Sequence, residues 1–208
     1  SKAVSHLNKA VSLKPQNFKI LIKVIEIFEK KGMWDKSLPL ILDVSSMQPN
    51  NTQVQSLLGK AYLKKGNSVD ALKVYKNLVK INPKNAENQY QLGRLFRLVK
   101  QFKNARQALE KSLSLRNDHA STYYELGLVF LAESKWIKAE DLLKKAVMRE
   151  PDNIVYSLAF ADAQTKNKKY DIALDFLLKL VKTGFNTSDV LFSVCNVYAK
   201  KRFYTAAI

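Results

Sequence analysis

Cysteine occurs once, at Cys195, so the chain can form no internal disulfide. That suits a reducing compartment, and the expected location is cytoplasmic, with the bacterial periplasm as the alternative. Histidine occurs twice, at His6 and His119, and neither has a neighbouring Cys or His at the spacing of a zinc site. With 6 glycines and 5 prolines the chain is neither collagen-like nor a low-complexity coil. No apolar run approaches the roughly 20 residues of a membrane-spanning helix, because Lys, Asp or Gln interrupts each one. The opening SKAVSHLNKAV lacks an apolar segment with a cleavage site, so it does not read as a signal peptide. Acidic side chains are the minority, 18 against 35 Lys and Arg, for a formal net charge of +17.

At 208 residues and 47% hydrophobic, the chain can bury a sizeable core. The charge is uneven. Residues 1–104 carry 19 basic and 6 acidic side chains, and residues 105–208 carry 16 and 12. A basic half suggests an anionic partner, and lysine-rich solvated helix faces are the plainer explanation.

The scarce residues are not scattered. Pro15, Pro49 and Pro83 lie 34 apart, and Pro151 falls two further steps along, with Asn117 between. Ala3, Ala71, Ala105, Ala139, Ala173 and Ala207 form a second column, in which Ser37 fills the remaining slot. Gly59, Gly93 and Gly127 form a third, continued by Ala161 and Cys195. Trp34, Phe102, Trp136, Tyr170 and Tyr204 form a fourth. Several columns in one register mean an internal repeat, and the period decides the architecture.

Each unit reads as two helices. Apolar spacings of three and four, as in Leu58, Tyr62 and Leu63 or Leu126, Phe130 and Leu131, mark the first. It follows an N-capping column of Asn17, Asn51, Asn85, His119, Asn153 and Thr187. It stops near a turn residue such as Gly32 or Gly66, where positive φ is cheap. The second helix, for example residues 69–81, ends where proline cannot continue it. Small residues in the glycine and alanine columns let the two helices cross closely, and Tyr75, Leu109, Leu143 and Leu177 fill the space beside them.

The stretches SLLGKAY, YQLGRLF and YELGLVF, followed by DALKVY, NARQAL and KAEDLL, resemble the tetratricopeptide repeat family. The resemblance implies an all-α, right-handed superhelical solenoid of helix–turn–helix repeats along 1–208. Full repeats are expected at 18–51, 52–85, 86–119, 120–153 and 154–187. Residues 1–17 read as the second helix of a truncated repeat, and 188–208 as a partial repeat comprising a first helix and the opening of a second. The array stops inside a unit, so a fragment of a larger protein is expected. Three departures stand out. Ile25 replaces the first glycine, so that hairpin is expected to splay. Pro39 sits near the start of a second helix, where first-turn N–H groups need no partner. Gln164 replaces an aromatic in the fifth unit, whose end, KTGFN, lacks proline, so that hairpin is expected to be less regular.

The resemblance also places the first helices along a concave groove. Its inner positions include Lys60, Lys64, Tyr90, Arg94, Arg97, Tyr124, Leu128, Leu158 and Phe192. Tyrosine supplies rigid apolar area with a polar tip, and arginine grips carboxylates with two parallel hydrogen bonds. The expected function is a protein–protein interaction scaffold within a multiprotein assembly. Its partner would be a peptide or helix with acidic and apolar residues. The alternatives are a basic module that binds RNA or another anionic polymer, or a regulatory or assembly domain of an envelope, secretion or motility machine. Self-association through uncapped ends is a further expectation. The Lys/Asn pair with which some family members clamp a C-terminal carboxylate is missing: the fifth and ninth positions read Ile22/Glu26, Ser56/Lys60, Tyr90/Arg94, Tyr124/Leu128 and Leu158/Asp162.

No catalytic, metal or cofactor residues emerge. His119 falls in the capping column and Cys195 in the small-residue column, where it reads as a packing residue. Glu140 and Asp141 read as part of a solvated face. Gly59, Gly93 and Gly127 are helix-interior positions and cannot make one phosphate nest. The chain is expected not to be an enzyme and to need no cofactor.

Overall fold

The computed structural model describes residues 17–206, with side chains through Arg202. The truncated helix expected at 1–17 therefore lies, but for Asn17, outside the described residues, as do His6 and Ala207. The described residues form an all-α helical-repeat fold of eleven helices and no strand. They pair as α1 (Phe18–Lys30) with α2 (Trp34–Met47), and α3 (Thr52–Lys64) with α4 (Ser68–Ile81). Next come α5 (Ala86–Leu98), α6 (Phe102–Leu115), α7 (Ala120–Ala132), α8 (Trp136–Arg149), α9 (Ile154–Lys166), α10 (Tyr170–Lys182) and α11 (Ser188–Ala206). The chain divides into two compact units between Val99 and Lys100, at the turn that follows α5.

The helix starts follow the capping column. Asn17, Asn51, Asn85 and Asn153 each accept from backbone N–H groups of the following first turn, which stabilises each start by about 1 kcal/mol. His119 departs from this: its Nδ1 lies 2.7 Å from the Thr122 hydroxyl, and its side chain caps no backbone group.

The turns inside the repeats share one geometry. After α1, the Met33 N–H donates to the Phe28 carbonyl and the Gly32 N–H to that of Glu29. The same pair of bonds recurs after α3, α7 and α9. This closure places its central residue in the left-handed region. Gly32 and Gly66 sit there at φ 68° and 74°. Lys100, Ser134 and Lys168 hold the same column at 59°, 58° and 63° without glycine's freedom.

In the first unit, α2 packs on α1 and α3, and α4 on α3 and α5. In the second, α7 packs on α6 and α8, and α9 on α8 and α10. Helix α9 also touches α7 and α11, and α10 packs on α11. The alanine column is the floor of these contacts: Ala71, Ala105, Ala139 and Ala173 are each fully buried. A Cβ on Gly59 would lie 2.7 Å from Tyr75 Cε2, and one on Gly127 would lie 2.6 Å from Leu143 Cγ. Glycine on the first helix thus makes room for the bulky column on the second. Burial pushes the Tyr75 phenol well above the usual tyrosine range.

Two of these expectations need correction, at Pro39 and at residues 188–208, and the departures at Ile25 and Gln164 take a definite local form. Pro39 is the sixth residue of α2, beyond the turn in which N–H groups are spare, so α2 lacks one internal hydrogen bond there. Ile25 is fully buried between α1 and α2; its column partner is Ile41, smaller than Tyr75, and Ser37 satisfies its buried hydroxyl on the Trp34 carbonyl at 3.2 Å. Gln164 is buried, its Oε1 has no hydrogen-bond partner, and α10 is one residue shorter than α8. Residues 188–206 form one helix where a turn and a second helix were expected. Ala199, Lys200, Lys201 and Arg202 are good helix formers, and no proline interrupts them.

Glu140 is not part of a solvated face. Its carboxylate accepts from Asn167 Nδ2 and Lys169 Nζ, both at 2.8 Å, and ties α8 to the turn before α10. Asp141 is exposed and pairs with Lys145. Cys195 is exposed instead of packed. The small column is covered by the second helix of its own hairpin, as Leu143 covers Gly127, and among the described residues no second helix follows α11.

Candidate functional site

The residues expected to line a groove divide between the two units, five in the first and four in the second. In the first unit, Lys60 and Lys64 are exposed on α3, while Tyr90, Arg94 and Arg97 are half-buried on α5. These positions recur on the first helices at spacings of three and four, so they share a face that the second helices leave uncovered. Lys64 Nζ sits 5.9 Å from the centroid of the Trp34 ring, where the ring quadrupole attracts it. Tyr90, Arg94 and Arg97 each have partners within the chain.

Sequence reasoning gave too little weight to Glu29, at the end of α1. It is half-buried and its Oε1 has no hydrogen-bond partner. Burial pushes its carboxyl above the usual range, Lys60 opposes that shift, and Glu26 adds to it. The face of the first unit therefore runs from a carboxylate pair on α1 to cations on α3 and α5. The signal was present as Glu26 and Glu29 one turn apart, but only the fold sets Lys60 beside them.

In the second unit, Tyr124 is half-buried and stacks on Tyr156 of α9, ring centroids 4.8 Å apart. The Tyr156 hydroxyl is 2.9 Å from that of Ser121, so α7 and α9 are joined by both a ring contact and a hydrogen bond. Leu128 is half-buried on α7. Leu158 packs against the core of Ala161, Ala173, Leu174, Leu177 and Val197, so much of its area is already spent inside the unit. Phe192 is 73% exposed on α11, and Val155 on α9 is exposed as well.

A hollow of about 440 Å³ also lies in this unit, lined by Val147, Phe176, Leu180 and Phe185, with Ser157, Lys179 and Asp152 among its polar residues. The Ser157 hydroxyl has no hydrogen-bond partner. Sequence columns did not reveal it, because it forms where Phe185 stands in place of the repeating proline. No group of three His, Cys, Asp or Glu side chains capable of holding a metal exists among the described residues. No described helix is long and apolar enough to cross a membrane.

Residues 56–120 match the family model described as tetratricopeptide repeat. Over those residues the sequence is tetratricopeptide repeat. Solved helical-repeat structures superpose on most of the chain. A crystal structure of MamA protein is 25% identical, covers 82% of this chain and 96% of its own, and superposes with a TM-score of 0.71. TTC0263, a thermophilic TPR protein of Thermus thermophilus, is 20% identical over 88% of this chain and 99% of its own, with a TM-score of 0.66. The APC/C hetero-tetramer Cut9–Hcn1 contains a chain 18% identical that covers 97% of this one and 40% of its own, with a TM-score of 0.75. The last two likenesses speak for the fold alone. No curated protein sequence matches the chain.

Proposed function

We propose that this repeat protein is a non-enzymatic protein-interaction scaffold that holds partner segments on the uncovered face of its first helices. One observation carries the reading. In both units, the column of Ser56, Tyr90, Tyr124 and Leu158 stays half-exposed, while the column two residues on, Leu58, Leu92, Leu126 and Phe160, is buried. The first unit offers Lys60, Lys64, Tyr90, Arg94 and Arg97, which suit an extended segment with carboxylates and an aromatic or aliphatic anchor. The second offers Tyr124, Leu128, Leu158 and Phe192, which suit the apolar stripe of an amphipathic helix. A preformed helical surface loses little conformational freedom on binding. The hetero-tetramer named for Cut9–Hcn1 is an instance of this fold within an assembly.

The test uses the whole chain and two probes, an acidic–aromatic peptide and a single-stranded oligonucleotide, each titrated over a range of salt. Peptide binding that is abolished by Tyr90→Ala with Arg94→Ala at unchanged helicity supports the scaffold reading. Oligonucleotide binding that falls steeply with salt, insensitive to those two changes, would replace it with anionic-polymer binding. The excess of Lys and Arg in residues 1–104 is the observation behind that second outcome.

A further inference from the structure

The hollow of the second unit has a counterpart one repeat earlier, and the chain fills that counterpart itself. Ser157 falls in the column of Tyr123, and Thr183 in that of Arg149. The Tyr123 ring packs against the core that contains Ala146. The Arg149 guanidinium lies 4.3 Å from the centroid of that ring and donates to the Asn117 carbonyl at 3.1 Å. Ring and guanidinium together tie α7 and α8 to the turn before them.

One repeat on, both side chains are cut short. Ser157 is fully buried, yet its hydroxyl has no hydrogen-bond partner. The Thr183 hydroxyl turns back onto its own helix and bonds at the Lys179 and Leu180 carbonyls, 3.2 and 2.9 Å away. Leu180 stands in the place of Ala146 and takes up part of the room. About 440 Å³ still remains open, within the roughly 300–1,000 Å³ of ligand pockets. Phe176 and Phe185, both half-buried, line it. Phe176 is held by an edge contact with Phe160, ring centroids 5.1 Å apart. Apart from Ser157, the lining comes from second helices and the turns after them, so the hollow is separate from the face of the first helices. The adjoining turn is acidic, because Glu150 stands where the preceding turn has Arg116. Asp118 has Arg116 3.9 Å away, whereas Asp152, its counterpart in the lining, forms no ion pair among the described residues. Lys179, the cation of the lining, is exposed, so water and salt screen its charge.

We propose that this hollow receives a tyrosine side chain of a protein partner with an arginine close to it in the partner's chain, and so rebuilds between two molecules the pair that Tyr123 and Arg149 form within one. The incoming ring packs against Phe176 and Phe185, whose rings favour edge or offset contacts over a face-to-face stack. The incoming guanidinium covers the ring and meets the Asp152 carboxylate in a charge-assisted hydrogen bond. In an extended segment, side chains two residues apart point to the same side, so arginine and tyrosine at that spacing reach the hollow together.

The test is an NMR titration of the 208-residue chain with two end-blocked peptides, Gly-Arg-Gly-Tyr-Gly and Gly-Glu-Gly-Tyr-Gly. The arginine peptide should shift the backbone amides of Phe176, Thr183 and Phe185, and the glutamate peptide should bind more weakly by about fivefold or more. Asp152→Asn, on an exposed turn, should weaken the arginine peptide by about fivefold. Ser157→Tyr combined with Thr183→Arg restores the side chains of the preceding repeat. At unchanged helicity it should raise the urea midpoint and remove the response to the arginine peptide. If that double variant does not fold, Asp152→Asn and the peptide pair still decide the matter. Four results overturn the proposal: no amide shift at millimolar arginine peptide; shifts confined to the columns of Tyr90 and Tyr124, which would leave the first-helix face as the binding surface; equal binding of the two peptides, unaltered by Asp152→Asn; and a folded double variant that binds as the native chain does.

Discussion

Gly127→Ala adds one methyl group at the close crossing of α7 and α8. The new Cβ would lie 2.6 Å from Leu143 Cγ and 2.9 Å from its Cδ2, where carbon atoms prefer about 3.5–4.0 Å. Leu143 is fully buried, so it has no solvent to swing into. The helices must part or Leu143 must leave its rotamer, which costs about 1–3 kcal/mol. Replacing glycine by alanine within a helix returns about 1 kcal/mol. The expected net effect is a loss of about 1 kcal/mol, with the sign set by the crossing and against the helix propensity. Leu143→Ala alone should cost about 2–5 kcal/mol through its cavity. In the double variant the added methyl partly fills that cavity, so the combined loss should fall short of the sum by about 1 kcal/mol. Urea unfolding followed by circular dichroism gives the totals. Because repeat arrays unfold in more than one step, amide exchange in α7 and α8 should locate the loss there. Gly127→Ala that stabilises the protein by the full propensity difference, or strict additivity in the double variant, would refute the argument.

Two further substitutions probe the turns and the face of the first unit. Lys168→Gly relieves a left-handed residue at φ 63°; it should stabilise the chain by about 0.5–1 kcal/mol once the added freedom of the unfolded chain is subtracted, seen as a higher urea midpoint. Glu29→Gln should stabilise the protein at neutral pH and make little difference in acid. Burial raises the folded-state pKa of Glu29 above its unfolded value, so the native chain loses stability as pH rises through the unfolded and then the folded value. An equal urea midpoint for Glu29→Gln and the native chain at neutral pH would contradict this.

Much of the fold was legible because a repeat encodes its local rules many times over. The Asn column marks four helix starts by the same side-chain-to-backbone bond. The glycine column predicted a close crossing, and the contacts of Gly59 and Gly127 show its cause. The turn column was legible only in part. Gly32 and Gly66 announced positive φ, but Lys100, Ser134 and Lys168 adopt it without any compositional signal. At Ser134 and Lys168 the closing hydrogen bonds overrule the preference of the single residue.

What the sequence determined by itself is the set of interactions within about four residues of each position: caps, turns, helix faces and the register of the repeat. Those depend on the backbone and on neighbours along one helix. Which positions are covered was decided by the tertiary structure. Glu140 and Asp141 are adjacent, yet one is held by Asn167 and Lys169 from the following repeat and the other faces water. Tyr124 and Phe192 share a column, yet one stacks on Tyr156 and the other is open. Cys195 and Gly127 share a column too, and the difference is whether a second helix lies over them. Burial is a property of what the next helix brings, and a column of like residues does not contain that information.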